Sequence, residues 1–205
     1  MTFEGPDGAG KSTVLGQLAA RLAAERRPPV RTRQPGGTEA GAHIRQLLLD
    51  PDSQLPDRAE LLLFCADRAA HIDQVIRPAL QAGLDVLCDR FVHSNLAYQG
   101  YGRGVDLDLI DQLNAVACDG IAPDLVVLMD IDPQTSRDRL SARAPADRIE
   151  AASEAFHRRV RDGYLAMAAA APDRFLVVDG SQDPARSAAM VAERLAATAP
   201  TEPGM

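Results

Sequence analysis

Lysine is almost missing from this 205-residue chain: of 22 basic residues 21 are arginine, and the one lysine is Lys11. A GTPase that reads guanine with an Asn-Lys-x-Asp motif is thereby excluded, because no second lysine exists to build it. Cysteine is scarce too. Cys65, Cys88 and Cys118 lie 23 and 30 residues apart, too few for a disulfide framework and wrongly spaced for zinc. Buried thiols in a reducing compartment, the cytoplasm, are expected. No apolar run approaches the ~18 residues that a membrane helix needs. Met1 to Lys11 lacks the basic start and apolar stretch of a secretory signal. Positive charge is in deficit, 22 basic against 29 acidic residues and a net charge of −7. That argues against non-specific binding to nucleic acid or to an anionic membrane. The rest, 46% hydrophobic and 25% charged, is globular composition in a chain long enough to close its own core.

Hydrophobic periodicity alternates along the chain. Short β-like runs fall at Thr2 to Glu4, Val30 to Arg33, Asp85 to Cys88, Leu125 to Ile131 and Phe175 to Val178. Most are continuous rather than alternating, as for strands buried on both faces. Helical patterns lie between them, among them a long one from about Arg58 to Gln81 with a bend expected at Pro78. Asp132-Pro133 and Asp183-Pro184 read as helix N-caps followed by proline at the first turn, and Ser153 as a further cap. The expectation is an α/β fold, a parallel sheet with helices on both faces, in one domain over residues 1–198 with a tail over 199–205. Only four residues precede Gly5, short for a central strand, so a natural start upstream of Met1 is expected. Ala151 to Ala171 is alanine-rich and reads as a packed or solvated helix with no chemistry.

Gly5-Pro6-Asp7-Gly8-Ala9-Gly10-Lys11-Ser12, followed by Thr13, fits GxxxxGK[ST] between a strand and a helix. Glycines let successive N–H groups curl inward on phosphate oxygens, and the helix start adds its positive end. Lys11 suits the β- and γ-phosphates of ATP as a mobile point charge, and Ser12 offers a hydroxyl to Mg²⁺. Asp89-Arg90 ends the third β-like run, where ligands of open α/β sheets bind. Asp89 suits Mg²⁺ and Arg90 a phosphate. Further along, Arg45 on a helix, Phe64 and Arg68 four apart on one helical face, and the segment Ser94 to Gly104 mix arginine, amide and aromatic groups able to stack on a base and read its edge.

These residues together resemble the bacterial thymidylate kinase (dTMP kinase) family. The matching segments are Phe3 to Ser12, Arg33-Gln34-Pro35-Gly36-Gly37-Thr38, Phe64 to Arg68, Cys88-Asp89-Arg90-Phe91, Ser94 to Gly104, Ala122 to Leu125 and Asp147-Arg148-Ile149-Glu150. The resemblance runs from Thr2 to about Leu195. It implies a P-loop kinase fold with five parallel strands, ATP and dTMP as substrates, Mg²⁺, a cytoplasmic location and a homodimer. It further implies that Asp7 binds the sugar 3′-hydroxyl and that Arg45 and Arg90 hold the 5′-phosphate. Phe64 stacks on thymine, Arg68 bonds a base carbonyl, Ser94, Asn95 and Gln99 lie near the base, and Tyr98 presses on the sugar. Gln34 and Phe91 depart from the common Glu and Tyr.

An arginine found inside the loop of one subgroup is replaced here by Gly8. Its charge is expected from a lid over about residues 136–150, chiefly Arg143 and Arg148 closing on ATP. The four histidines show no spacing for a triad or a metal. Rival readings are the same fold with another small acceptor, or a P-loop regulatory protein with slow ATP turnover.

Overall fold

The computed structural model describes residues 1–25, 28–141 and 147–198. Five parallel strands form its centre: β1 (Thr2–Glu4), β2 (Val30–Arg33), β3 (Val86–Asp89), β4 (Val126–Asp130) and β5 (Phe175–Asp179), in the order β2-β3-β1-β4-β5. The sequence places each strand to within one residue at either end. The three residues of β1 are paired on both sides, Thr2 with Cys88 and with Val126.

Side chains of a strand point alternately to the two faces, and the core divides accordingly. Phe3, Val127 and Met129 pack with Val14, Leu18 and Leu22 of α1 (Lys11–Glu25) and with Val191 of α9 (Pro184–Thr198). Val126, Leu128 and Phe175 pack on the other face with Phe156, Val160 and Tyr164 of α8 (Glu154–Ala170). Beside this second layer α2 (Glu39–Leu49) packs on α3 (Asp57–His71), and α3 on α6 (Leu107–Cys118). Short helices α4 (Arg77–Gln81) and α5 (Val92–Asn95), and α7 (Pro133–Ser141), complete the described elements.

The expected caps are present. Asp132 Oδ1 accepts from Gln134 N, Asp183 Oδ1 from Ala185 N, and Ser153 Oγ from Phe156 N. The bend expected at Pro78 sits upstream of it. The long helix passes through a π-helical turn at Ile72–Ile76 before α4. Proline lacks an N–H and its ring crowds the carbonyl four residues back, here Gln74, so the ladder changes register before the proline. A second π-helical stretch, Leu96–Gly102, follows α5 and carries the buried Tyr98 and Gln99. The expected tail, 199–205, lies outside the described residues.

Candidate active site

β1 delivers the chain to Gly5 and α1 begins at Lys11. The loop between uses three left-handed glycines, Gly5, Gly8 and Gly10. At Gly5 the reason is contact as well as conformation: a Cβ there would collide with the Met129 carbonyl of β4. Lys11 is 6% exposed and donates to Gly5 O at 2.9 Å and Pro6 O at 2.7 Å. Burial, and then the charge of Arg90, lowers its pKa to about 8. The loop is clamped from behind by α7: Ser136 Oγ donates to Asp7 O at 2.5 Å, and Arg139 donates to Gly8 O at 3.1 Å and Gly180 O at 2.9 Å.

At the end of β3, Asp89 Oδ2 accepts from Ser12 Oγ at 2.6 Å. Among the described residues no group of three or more His, Cys, Asp or Glu side chains could hold a metal ion. Mg²⁺ needs no such cage, since it keeps waters and takes one or two protein oxygens plus substrate phosphates. The Ser12 hydroxyl and Asp89 carboxylate, both hard oxygens at the mouth of the loop, fit that demand.

Arg90 occupies the left-handed region, φ 70°, unusual for a residue with a side chain. Its guanidinium donates to Asp7 Oδ1 at 2.7 Å, Gly5 O at 2.9 Å, Tyr98 OH at 3.1 Å, and Ser94 Oγ and Tyr164 OH at 3.2 Å. Tyr98 OH in turn donates to Asp7 Oδ2 at 2.9 Å. Burial alone raises the Asp7 pKa, but Arg90, Lys11 and these hydrogen bonds outweigh it and hold the carboxyl well below its usual range. Burial also raises the Tyr98 phenol, which keeps its proton.

Two cavities meet here. A cleft of about 710 Å³ is lined by Gly8, Gly10, Lys11, Ser12, Thr13 and Asp89, with Asp7, Arg45 and Arg90 at its inner end. Gly5, Pro6 and Ala9 build the loop without lining this cleft. The smaller cavity, about 70 Å³, is lined by Asp7, Arg45, Phe64, Arg68, Arg90, Ser94, Asn95, Tyr98 and Gln99. All nine residues expected at an acceptor therefore converge on one space, and Asp7, Arg45 and Arg90 border both spaces.

The surroundings of several of these residues were not foreseen. Arg68 is 1% exposed and already donates to Gln34 Oε1 at 3.0 Å, Asn95 Oδ1 at 2.7 Å and Asn114 Oδ1. Asn95 Nδ2 is buried and has no partner among the described residues. Gln99 donates to Glu60 Oε1 at 2.8 Å. Glu60, on α3 and 1% exposed, also accepts from Arg103 at 3.2 Å and from Arg148. Arg148 additionally donates to Leu48 O at 3.0 Å. The structure thus engages Arg148 with Glu60 and the end of α2, where a buried carboxylate competes strongly for the guanidinium. Arg143, the other expected lid arginine, lies outside the described residues.

Three functional neighbours escaped the sequence reading. Glu4 is fully buried, its Oε1 accepting from Phe91 N at 2.8 Å and its Oε2 from Ser94 Oγ at 2.6 Å. Its signal was a lone acid inside an apolar strand end. Tyr164, in the helix read as free of chemistry, places its hydroxyl 2.9 Å from Ser94 Oγ and accepts from Arg90. Its helical spacing with Phe156 and Val160 made it read as core alone. Glu60 gave no local signal, since its three partners come from distant segments.

A thymidylate kinase family profile matches residues 3–191. The chain is 52% identical over 192 residues to the thymidylate kinase of Solidesulfovibrio magneticus, covering 90% of this chain and 92% of that protein. It is 47% identical over 182 residues to that of Deinococcus radiodurans, covering 89% and 88%. Its fold resembles the crystal structure of Ehrlichia chaffeensis thymidylate kinase with a TM-score of 0.79 at 36% identity, covering 95% of this chain and 96% of the other.

Proposed function

The chain belongs to the thymidylate kinase family of phosphotransferases, and we propose from its site that it moves the γ-phosphoryl group of ATP onto the 5′-phosphate of dTMP, giving ADP and dTDP. One observation carries this reading: the nine acceptor residues line a single cavity that opens onto the phosphate cleft at Asp7, Arg45 and Arg90. Two nucleotides would meet there end to end.

Lys11 exchanges its two loop carbonyls for β- and γ-phosphate oxygens. Arg90 and Arg45 hold the acceptor phosphate, whose oxygen is already a nucleophile and needs no strong base. Asp7, kept ionised by Arg90, accepts from the sugar 3′-hydroxyl. Phe64 supplies a face for thymine, and the unpartnered Asn95 Nδ2 a donor for a base carbonyl. Ser12 and Asp89 would hold Mg²⁺, which neutralises charge developing on the phosphates. The work of the protein is positioning and charge stabilisation.

Among the described residues no helix is long and apolar enough to cross a membrane, and the acidic chain suits a cytoplasmic location without nucleic-acid partners. A homodimer is supported by apolar side chains left uncovered on two helices that pack together: Leu62 of α3 is 47% exposed, Leu109 and Val116 of α6 41% and 80%.

ADP release should be assayed with ATP, Mg²⁺ and a panel of acceptors: dTMP, dUMP, dCMP, dGMP and UMP. Release should depend on dTMP above the others, and Lys11→Ala should lower it by at least about a hundredfold. ADP release indifferent to any acceptor would point instead to a slow regulatory ATPase.

A further inference from the structure

Transfer between two anions requires cations around the moving group. Among the described residues two expected sources of charge do not reach it: the loop has Gly8 where an arginine could stand, and Arg148 is bonded to Glu60. Strand β2 offers a source that neither motif nor resemblance assigned. We propose that Arg33 is a further catalytic residue, its guanidinium contacting phosphoryl oxygens where the two nucleotide phosphates meet. This inference rests on the two-nucleotide reading of the cleft.

Parallel pairing sets Arg33 level with Asp89, the carboxylate bonded to Ser12. Alternation along β2 puts Arg31 and Arg33 on its exposed face, and both line the 710 Å³ cleft with Lys11, Arg45 and Arg90. The turn after β2 then brings Arg33 and Arg45 to the two sides of Gly36. Gly36 has φ 102°, and a Cβ on it would lie 2.9 Å from Arg45 Cδ and 3.8 Å from Arg33 Nε. A bare glycine keeps the space between the two arginines open.

The acids of the cleft are engaged elsewhere. Asp7 is held by Arg90, Asp89 accepts from Ser12, and Glu150 Oε2 accepts from Asp147 N at 3.3 Å. The Arg33 side chain makes no hydrogen bond or ion pair among the described residues. Arg45 feels the result: burial first, then the charges of Arg33 and Arg90, lower its pKa. With Asp7 committed to Arg90, Arg33 and Arg45 share the wall of the cleft and repel one another until an anion joins them. A phosphoryl group in transit carries its charge on three equatorial oxygens, which planar donor forks suit well. Arg31 is a poorer candidate. It stands two residues back, roughly 6.6 Å along the strand, and its Nη2 lies over α1, 3.6 Å from where a Gly16 Cβ would be.

The test compares Arg33→Ala and Arg31→Ala with wild type in steady-state kinetics, thermal melting and binding of a pentaphosphate-linked adenosine–thymidine bisubstrate analogue. Arg33→Ala should lower kcat about a hundredfold, with KM for dTMP and ATP within about threefold and Tm unchanged, since the side chain is exposed. It should also weaken the bisubstrate analogue by about tenfold more than it weakens dTMP alone. Arg31→Ala should change kcat by less than about threefold. A kcat for Arg33→Ala within threefold of wild type overturns the proposal. So does a loss confined to KM, a fall in Tm that accounts for the loss of activity, or equal losses in both variants, which would mean unspecific cleft charge. A wild type without dTMP-dependent ADP release would sink the two-nucleotide reading itself; a working wild type matched by Arg33→Ala sinks only this inference.

Discussion

Lys11 is held in the loop by two carbonyls, and its charge is opposed by burial and by Arg90. A pKa of about 8 means that it begins to lose its proton within the range of ordinary assays. Phosphates favour the charged form, so nucleotide binding must draw a proton back. ATP affinity should be flat below about pH 7.5 and weaken by up to about tenfold per unit above pH 8. Calorimetry at pH 8.5 in buffers of different ionisation enthalpy should show net proton uptake on ATP binding. Binding without proton exchange between pH 7.5 and 9 would refute the perturbed lysine. At this scale the sequence was most informative about residues whose chemistry is local. Lys11 and the cap at Asp132 act on neighbours a few residues away, so spacing alone exposed them. Glu4 and Tyr164 act across 87 and 70 positions, on Phe91 and Ser94 respectively, and no spacing rule reports that.

Elements of the site are tied to one another by a few buried charges. Glu60 joins α3 to the π-helical segment through Gln99, to Arg103 just beyond it, and to Arg148 after the 142–146 segment. Burial raises the Glu60 pKa, but Gln99, Arg148 and Arg103 more than offset that, and the net shift is downward from 4.5. A carboxyl with a lowered folded-state pKa contributes stability that is complete above the unfolded value, about 4.5, and fades as pH falls through the folded one. Glu60→Ala strands two arginines that are largely buried, and should cost about 3 kcal/mol in urea unfolding at pH 7. The low end of the range applies because Arg103 and Arg148 keep some contact with water. The deficit relative to wild type should shrink below about pH 4.5; a deficit independent of pH would show that packing, not charge, holds these elements. Helices here were legible from period and caps, whereas the π-helical turns were not. A register change in a hydrogen-bond ladder leaves almost no mark on hydrophobic spacing.

For the whole molecule, the uncovered Leu62, Leu109 and Val116 call for a partner surface. The chain should run as a dimer in size-exclusion chromatography with light scattering at micromolar concentration. Leu62→Asp with Val116→Asp should convert it to a monomer, and a wild type that is monomeric at that concentration would remove the proposal. The sequence by itself determined the alternation of strand and helix and the phosphate loop, because each depends on contacts within a few positions or on a motif in one unbroken run, whereas the acceptor residues were expected from the family resemblance. Only the tertiary structure decided the strand order β2-β3-β1-β4-β5, which brings Asp89 beside Ser12 and the end of β2 level with Asp89. It likewise decided which carboxylate claims which arginine, Asp7 with Arg90 and Glu60 with Arg148, leaving Arg33 without one among the described residues. Twenty-one chemically identical guanidinium groups cannot be told apart in a sequence; distance and burial in the folded chain set their electrostatic partners.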